Sequence, residues 1–300
     1  MSSQQSEGRQ WSGKTGGGNF GQRFLLKVLK SVNVVFFYPI LYLVVPFYCV
    51  VNHRAFGCIY GYFREIHHFS AWKSFWSTVR NHLIFGRVVL DRFAILAGNS
   101  KQFKIEVDGQ EVFTQMLDSS LGMIVAGSHV GNFELVGHFF HQDKKTINAI
   151  VFGGERAGLQ RRREASFETH NEKMIPVTPD LSHIFALKDA LDRGEIAVIL
   201  CDRIWGSRKT LTVDFLGKPA KFPLGTFLLA AQMDLPVVSL IAVKERGTRY
   251  HGFVRRFDSP DPQLSVREKS QFYARQYAEN LQDILRKYPE QWFNFYDFWA

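Results

Sequence analysis

Cysteine is scarce in this chain: only Cys49, Cys58 and Cys201. An odd number with no C-x-x-C pair indicates neither a disulfide framework nor a zinc site, and free thiols in a reducing compartment are the default. No dinucleotide fingerprint or metal-ligand cluster occurs, so neither cofactor nor metal is expected. No G-x-S-x-G elbow is present and Ser128 is the only serine beside the main motif, so a serine-type thioester hydrolase ranks low. Carboxylates are outnumbered, 28 Asp+Glu against 37 Lys+Arg, for a formal net charge of +9. Such a balance suits nucleic acid, an anionic membrane surface or phosphorylated substrates. No zinc finger, RNP-type motif or long basic run supports nucleic acid.

Apolar residues, by contrast, are plentiful. They make up 46% of the chain, with 28 phenylalanines and 15% aromatics, an excess that favours a membrane interface or an acyl-chain pocket. Val34 to Val51 carries no charge over roughly 18 residues, the lower limit for a membrane span. Pro39 and Pro46 would kink it, which membrane helices tolerate. The run starts late and lacks a small-residue cleavage site, which argues against a signal peptide. Arg23, Lys27 and Lys30 precede it and Arg54 and Arg64 follow, so the positive-inside rule leaves topology undecided. A span, a re-entrant or interfacial anchor with both ends on one side, and a buried core hairpin all fit.

The stretch Met123 to His141 carries the chemistry. Met123 to Ala126 reads as a buried strand; Gly127 and Ser128 break it; His129 follows; Gly131 and Asn132 lead into a helical period at Phe133. A strand-to-helix turn puts side chains and free N–H groups at the sheet's carboxyl edge, where open α/β folds place their sites. Glu134 lies five residues after His129, about 140° away on an unbroken helix. The two meet only if His129 is in the loop and Glu134 in the first helical turn, a bend that Gly131 and Asn132 permit. The expected chemistry is a neutral imidazole, His129, taking a proton from an attacking hydroxyl or amine while Glu134 orients the ring. The bland alternative is a loop histidine beside a helix-capping glutamate.

Elsewhere, residues 1–22 read as a flexible tail with three consecutive glycines, Gly16 to Gly18. Tyr60 to Ala97 looks helical, with interleaved basic and aromatic residues that fit either anionic lipid or packing on the core. Strands are expected at Lys101–Val107, Thr146–Phe152, Met174–Val177 and Ile196–Leu200, and helices at Glu111–Ser119, Ser182–Arg193 and Arg267–Arg286. Phe253 to Pro262 reads as turn-rich. Arg156 to Arg163 holds four arginines, a solvated face or a phosphate contact.

The run of His129, Gly131, Asn132, Phe133 and Glu134 resembles the H-x4-D/E motif of the lysophospholipid acyltransferase superfamily, specifically its bacterial lipid A (lauroyl/myristoyl) acyltransferase branch. Asp202 matches an Asp that this branch carries at a strand end, with Arg203 in place of the usual Gln. The branch also uses an upstream arginine; an ungapped alignment puts Asn171 there, and a gap brings in Arg161, Arg162 or Arg163. Val213–Pro223 with Gly225-Thr226 resembles its F-x-G-x-P segment and following Gly-Thr. Tyr288–Trp292 resembles its closing Pro-Glu-Gln segment, although Phe293–Trp299 is aromatic where the branch is basic.

The resemblance implies one α/β domain, a mixed, largely parallel sheet flanked by helices as in glycerol-3-phosphate acyltransferases, behind an N-terminal membrane-anchoring helix. The expected organisation is a tail at 1–22, an anchor at 23–55 and an acyltransferase domain at 56–300. It implies acyl transfer from acyl carrier protein or CoA to a hydroxyl or amine of a membrane lipid at the cytoplasmic face of the bacterial inner membrane, with His129 and Glu134 catalytic. Asn132, Arg161, Asp202, Gly225 and Thr226 are the substrate-binding candidates. The thioester donor is a co-substrate rather than a cofactor. Other acceptors (an amino-acid lipid or an aryl-polyene-type pigment) and a non-catalytic lipid-binding protein on an anionic membrane surface are the alternatives.

Overall fold

The computed structural model describes residues 19–135, 144–151, 171–178, 182–204 and 209–299. A seven-stranded sheet organises them: β1 (Lys104–Asp108), β2 (Met123–Gly127), β3 (Ile147–Val151), β4 (Glu172–Pro176), β5 (Ile196–Leu200), β8 (Val237–Lys244) and β9 (Arg249–Arg256). Their order is β1-β9-β8-β2-β5-β3-β4. The block β8-β2-β5-β3-β4 is parallel; β9 runs antiparallel to β8 and β1 parallel to β9. The mixed, largely parallel sheet flanked by helices is therefore as expected.

The central strands show why the sequence folds this way. All five residues of β2 and all eight of β8 are buried, as in strands covered on both faces; β2 is wholly apolar and β8 is apolar but for Ser239 and Lys244. Side chains alternate across the sheet. Ile124, Ala126, Ala197 and Ile199 join the larger core, formed with α6 (Ser182–Asp192), α7 (Leu224–Met233) and α8 (Val266–Lys287). Met123, Val125 and Ile196 join a smaller core against Phe113, Met116 and Leu117 of α5 (Gln110–Asp118). The capping box of Ser265 and Glu268 starts α8, and Asp108-Gly109 turns the chain into α5 with Gly109 at φ +80°.

Before the sheet come α1 (Asn19–Leu29), a 3₁₀ turn (Val34–Ile40), α2 (Leu41–Val51), α3 (His53–Gly61), a π turn (Tyr62–Ile66) and α4 (Ala71–Leu96). Among the described residues, Val34–Val51 is the one helical stretch long and apolar enough to cross a membrane. The helix expected over Tyr60–Ala97 is interrupted. His68 takes φ +53°, and Ser70 restarts the helix by accepting a hydrogen bond from the Lys73 N–H.

Two further segments differ from the sequence reading. Thr210–Phe215 (β6) and Lys218–Pro223 (β7) form a separate antiparallel hairpin. Its two-residue turn has both Leu216 and Gly217 at positive φ, the geometry that matches strand twist. Strand β9 also continues to Arg256, which pairs with Val238, so the turn-rich segment begins only after it.

Candidate active site

Strands β2 and β5 are parallel neighbours that end at the same level, Gly127 opposite Leu200. Two residues beyond each end stand His129 and Asp202, at the carboxyl edge of the parallel block. The ladder continues one step through the Cys201 N–H to the Gly127 carbonyl, 2.9 Å. Asp202 then closes on the neighbouring loop. Its Oδ1 lies 2.7 Å from His129 Nδ1, and its Oδ2 accepts from the His129 backbone N–H at 2.8 Å. The Trp292 indole Nε1–H donates to the same Oδ2 at 2.9 Å.

This wiring sets the protonation states. Asp202 is completely buried, which pushes its carboxyl up. The pull of His129, Arg203 and the Trp292 N–H wins, and holds it at about 2. Burial lowers the His129 pKa below the usual imidazole value; Asp202 opposes this, and Arg203 and Arg92 reinforce it. Near pH 7 the pair is thus a neutral imidazole beside an ionised carboxylate. A carboxylate only accepts, so Nδ1 carries the ring proton and Nε2 holds the lone pair. The histidine side chain keeps 18% of its surface exposed while that of Asp202 has none, so the ring keeps an open edge and its partner is sealed in.

The loop that carries His129 is clamped from two sides. The Gly131 N–H donates to the Gln291 carbonyl at 2.9 Å, the Asn132 N–H to the Ala242 carbonyl at 2.8 Å, and the Phe293 N–H to the His129 carbonyl at 3.0 Å. Gln291 in turn grips the end of β8: the Lys244 N–H donates to its Oε1 and its Nε2 donates to the Lys244 carbonyl, each at 2.7 Å. Gly131 takes φ +60°, and a Cβ there would collide with the Ala242 carbonyl oxygen. The closing Pro-Glu-Gln-Trp segment is therefore part of the site's frame.

The other expected site residues take varied places. Glu134 stands in the first turn of the helix after the loop, where it pairs with Arg92 of α4. The His129 Nδ1 is held by Asp202. Asn132, a substrate-binding candidate, is buried; its Oδ1 accepts from the Leu135 N–H at 3.3 Å and its Nδ2 lies 3.5 Å from the Tyr250 hydroxyl, so it builds the loop. Thr226 is buried at the start of α7, hydrogen-bonded to the Cys201 thiol, and Gly225 precedes it. Burial pushes that thiol up to about 12, which removes Cys201 as a thiolate nucleophile. Arg161 and the surrounding arginine cluster lie outside the described residues.

Three further contributors carry no signal of their role in the sequence. Trp292 sits 90 residues from its partner Asp202 in the chain. Arg92 places its guanidinium 5.2 Å from the centroid of the Phe133 ring, which itself packs edge-on against His129. Arg203 donates to the Phe293 carbonyl at 2.8 Å and packs against Tyr296, whose hydroxyl donates to the Asp202 carbonyl at 3.2 Å. Among the described residues, no group of three or more His, Cys, Asp or Glu is placed to hold a metal ion.

A neutral imidazole, fixed in one tautomer by a buried carboxylate at the carboxyl edge of a parallel sheet, is a site equipped for general-base chemistry. Residues 84–300 match the family model described as bacterial lipid A biosynthesis acyltransferase, and the chain belongs to that family. It is accordingly an acyltransferase of lipid biosynthesis, with an acyl donor and a lipid acceptor. No curated protein matches the chain.

Proposed function

We propose that the protein transfers a fatty acyl group from an acyl thioester, carried by acyl carrier protein or CoA, to a hydroxyl or amine of a membrane lipid. His129 is the general base: Nε2 takes the acceptor's proton as its oxygen or nitrogen attacks the thioester carbonyl. Asp202 fixes the tautomer and stabilises the imidazolium, and the Trp292 N–H holds Asp202 in place. When the tetrahedral intermediate collapses, the carbon–sulfur bond breaks and the imidazolium returns its proton to the leaving thiolate. A well-placed base contributes about 10²–10⁴-fold. Arg92 and Arg203 lend positive potential beside the developing oxyanion. Glu134 holds Arg92 on this reading.

The observation that carries this function is the 2.7 Å contact between His129 Nδ1 and Asp202 in a chain of this family. Membrane association through Val34–Val51, at the cytoplasmic face of the bacterial inner membrane, belongs to the same proposal. The test is lipidomics of a deletion strain against strains complemented with wild-type protein and with His129→Ala. Loss of one acylated lipid, restored only by wild type, supports the reading and names the acceptor. Restoration by both would leave a lipid-binding protein instead. The closing aromatic segment favours an acceptor other than lipid A: Phe293 and Phe298 are buried in the core, where a basic stretch would offer charge to a phosphorylated sugar.

A further inference from the structure

We infer that Val34–Val51 does not cross the bilayer, but lies along an anionic membrane surface as an in-plane seat shared with Trp72, Phe75 and Trp76 of α4. This seat rests on the membrane association proposed above and is independent of the acyl-transfer chemistry. Three observations carry it.

The first is that the segment is bound lengthwise to the catalytic domain. Val34, Tyr38, Leu41 and Val45, at helical spacing, are buried. The contacts pair it antiparallel with α4. Tyr38 donates to Asp91 Oδ1 at 2.5 Å, Tyr42 accepts from Arg87 at 3.0 Å, and the Tyr48 ring lies 6.2 Å from His82. At Gly86 the packing is so close that an added Cβ would come within 3.0 Å of Leu41 Cδ2. The antiparallel run continues past α2, where the Phe56 ring lies 5.7 Å from Phe75. A segment crossing the bilayer in this arrangement would carry Asn81, His82, Arg87 and Asp91 into the hydrocarbon with it, where polar and charged groups are costly.

Nor can the segment leave alone at little cost. Tyr38 closes a buried cluster in which Lys244 pairs with Asp91 and donates to the Tyr38 hydroxyl at 3.0 Å. The side chains of Lys244 and Asp91 are 2% and 0% exposed. Withdrawing Tyr38 would open that ion pair and strip a partner from each charge.

The second observation is the opposite face. Phe36, Leu43, Phe47, Val50 and Val51 are exposed at 63% or more. Trp72, Phe75 and Trp76 are also exposed, and Phe75 packs on Phe56 of α3, the helix that follows α2. A contiguous apolar face of this kind marks an interaction site, and tryptophans favour the headgroup level. The third is charge. Between residues 19 and 90 the sequence has eight Lys or Arg and one carboxylate, Glu65. Such a bias attracts anionic lipid.

The test uses the full chain in membranes, with one epitope tag before Met1 and a second in the exposed loop at Ser259. Protease is added to right-side-out spheroplasts and to inverted vesicles. An in-plane seat predicts that both tags are shaved from the same face. Tags shaved from opposite faces would overturn the inference and leave the membrane association standing. Absence of the protein from the membrane fraction would overturn both, with no bearing on activity in detergent. A second arm measures flotation with vesicles of phosphatidylglycerol and phosphatidylethanolamine. The variant Trp72→Ser/Phe75→Ser/Trp76→Ser, changed only at exposed positions, should bind about tenfold more weakly or worse. Unchanged binding would remove α4 from the seat.

Discussion

Two buried carboxylates of this protein face the same problem and solve it for different ends. Asp91 and Asp202 both have no exposed surface. Asp91 is enclosed by Lys244, Tyr38 and Tyr250, whose hydroxyl also donates to it. Every member of that cluster is buried, so its charge serves to hold the Val34–Val51 segment, α4 and the sheet together. Asp202 is paired instead with a histidine that keeps an exposed edge. Burial raises the pKa of Asp91 above the usual carboxylate value despite its partners, whereas the partners of Asp202 overcome burial and hold it at about 2. A saturated cluster fastens; a cluster with one open edge can exchange a proton with a substrate.

The comparison is broken most directly at the base. His129→Ala should lower kcat by at least about 10²-fold with the fold retained, checked by steady-state assay and circular dichroism. A folded variant with more than about a tenth of wild-type kcat would remove His129 from the mechanism. At the fastening cluster the effect should be of the other kind. Asp91→Ala leaves Lys244 buried without its counter-ion, and should cost about 3–5 kcal/mol in denaturant unfolding while kcat of the folded fraction changes little.

Smaller effects sharpen the account. Trp292→Phe keeps the aromatic bulk and removes one N–H from Asp202. Hydrogen bonds to charged groups are worth about 1.5–3 kcal/mol, so a loss of roughly tenfold in kcat is expected. A merely structural indole would change thermal stability and leave kcat alone. The pH profile follows from the burial of His129. The base works when neutral, so kcat/KM should be flat above about pH 6.5 and fall as pH drops through the lowered pKa. A further effect is acid stability. Asp202 has a depressed pKa, so its contribution is complete above about pH 3.8 and is lost as pH falls toward 2, about 2 kcal/mol in all.

Much of this was legible along the chain. The apolar runs of β2, β5 and β8 are long enough to name themselves, and Gly127-Ser128 marks where β2 must end. His129 follows directly from that break. Asp202 stood out at the end of β5, but its partnership with His129 needs a further fact, that β2 and β5 are neighbours in register. With that pairing, two side chains each two residues past a strand end fall together. Glu134 was favoured by the resemblance to the H-x4-D/E motif, whereas a partner 73 residues away leaves no mark of its contact in the sequence. Trp292 and the Lys244–Asp91 pair were illegible for the same reason, since long-range pairing leaves no periodic trace. The β6–β7 hairpin was missed because Leu216, a residue that seldom adopts positive φ, occupies its turn. Which face of Val34–Val51 packs on α4 was undecidable from composition, because the packed stripe and the exposed stripe are both apolar.

On the proposed reading Asp202 orients the base and Glu134 holds Arg92. The most direct test is a parallel measurement of kcat and melting temperature for Asp202→Asn and Glu134→Gln. Asp202→Asn keeps the shape but no longer stabilises the imidazolium, and kcat should fall by about 10²-fold or more. Glu134→Gln weakens its ion pair with Arg92 and should cost less than Asp202→Asn in kcat. A larger kinetic loss for Glu134→Gln than for Asp202→Asn would contradict the account.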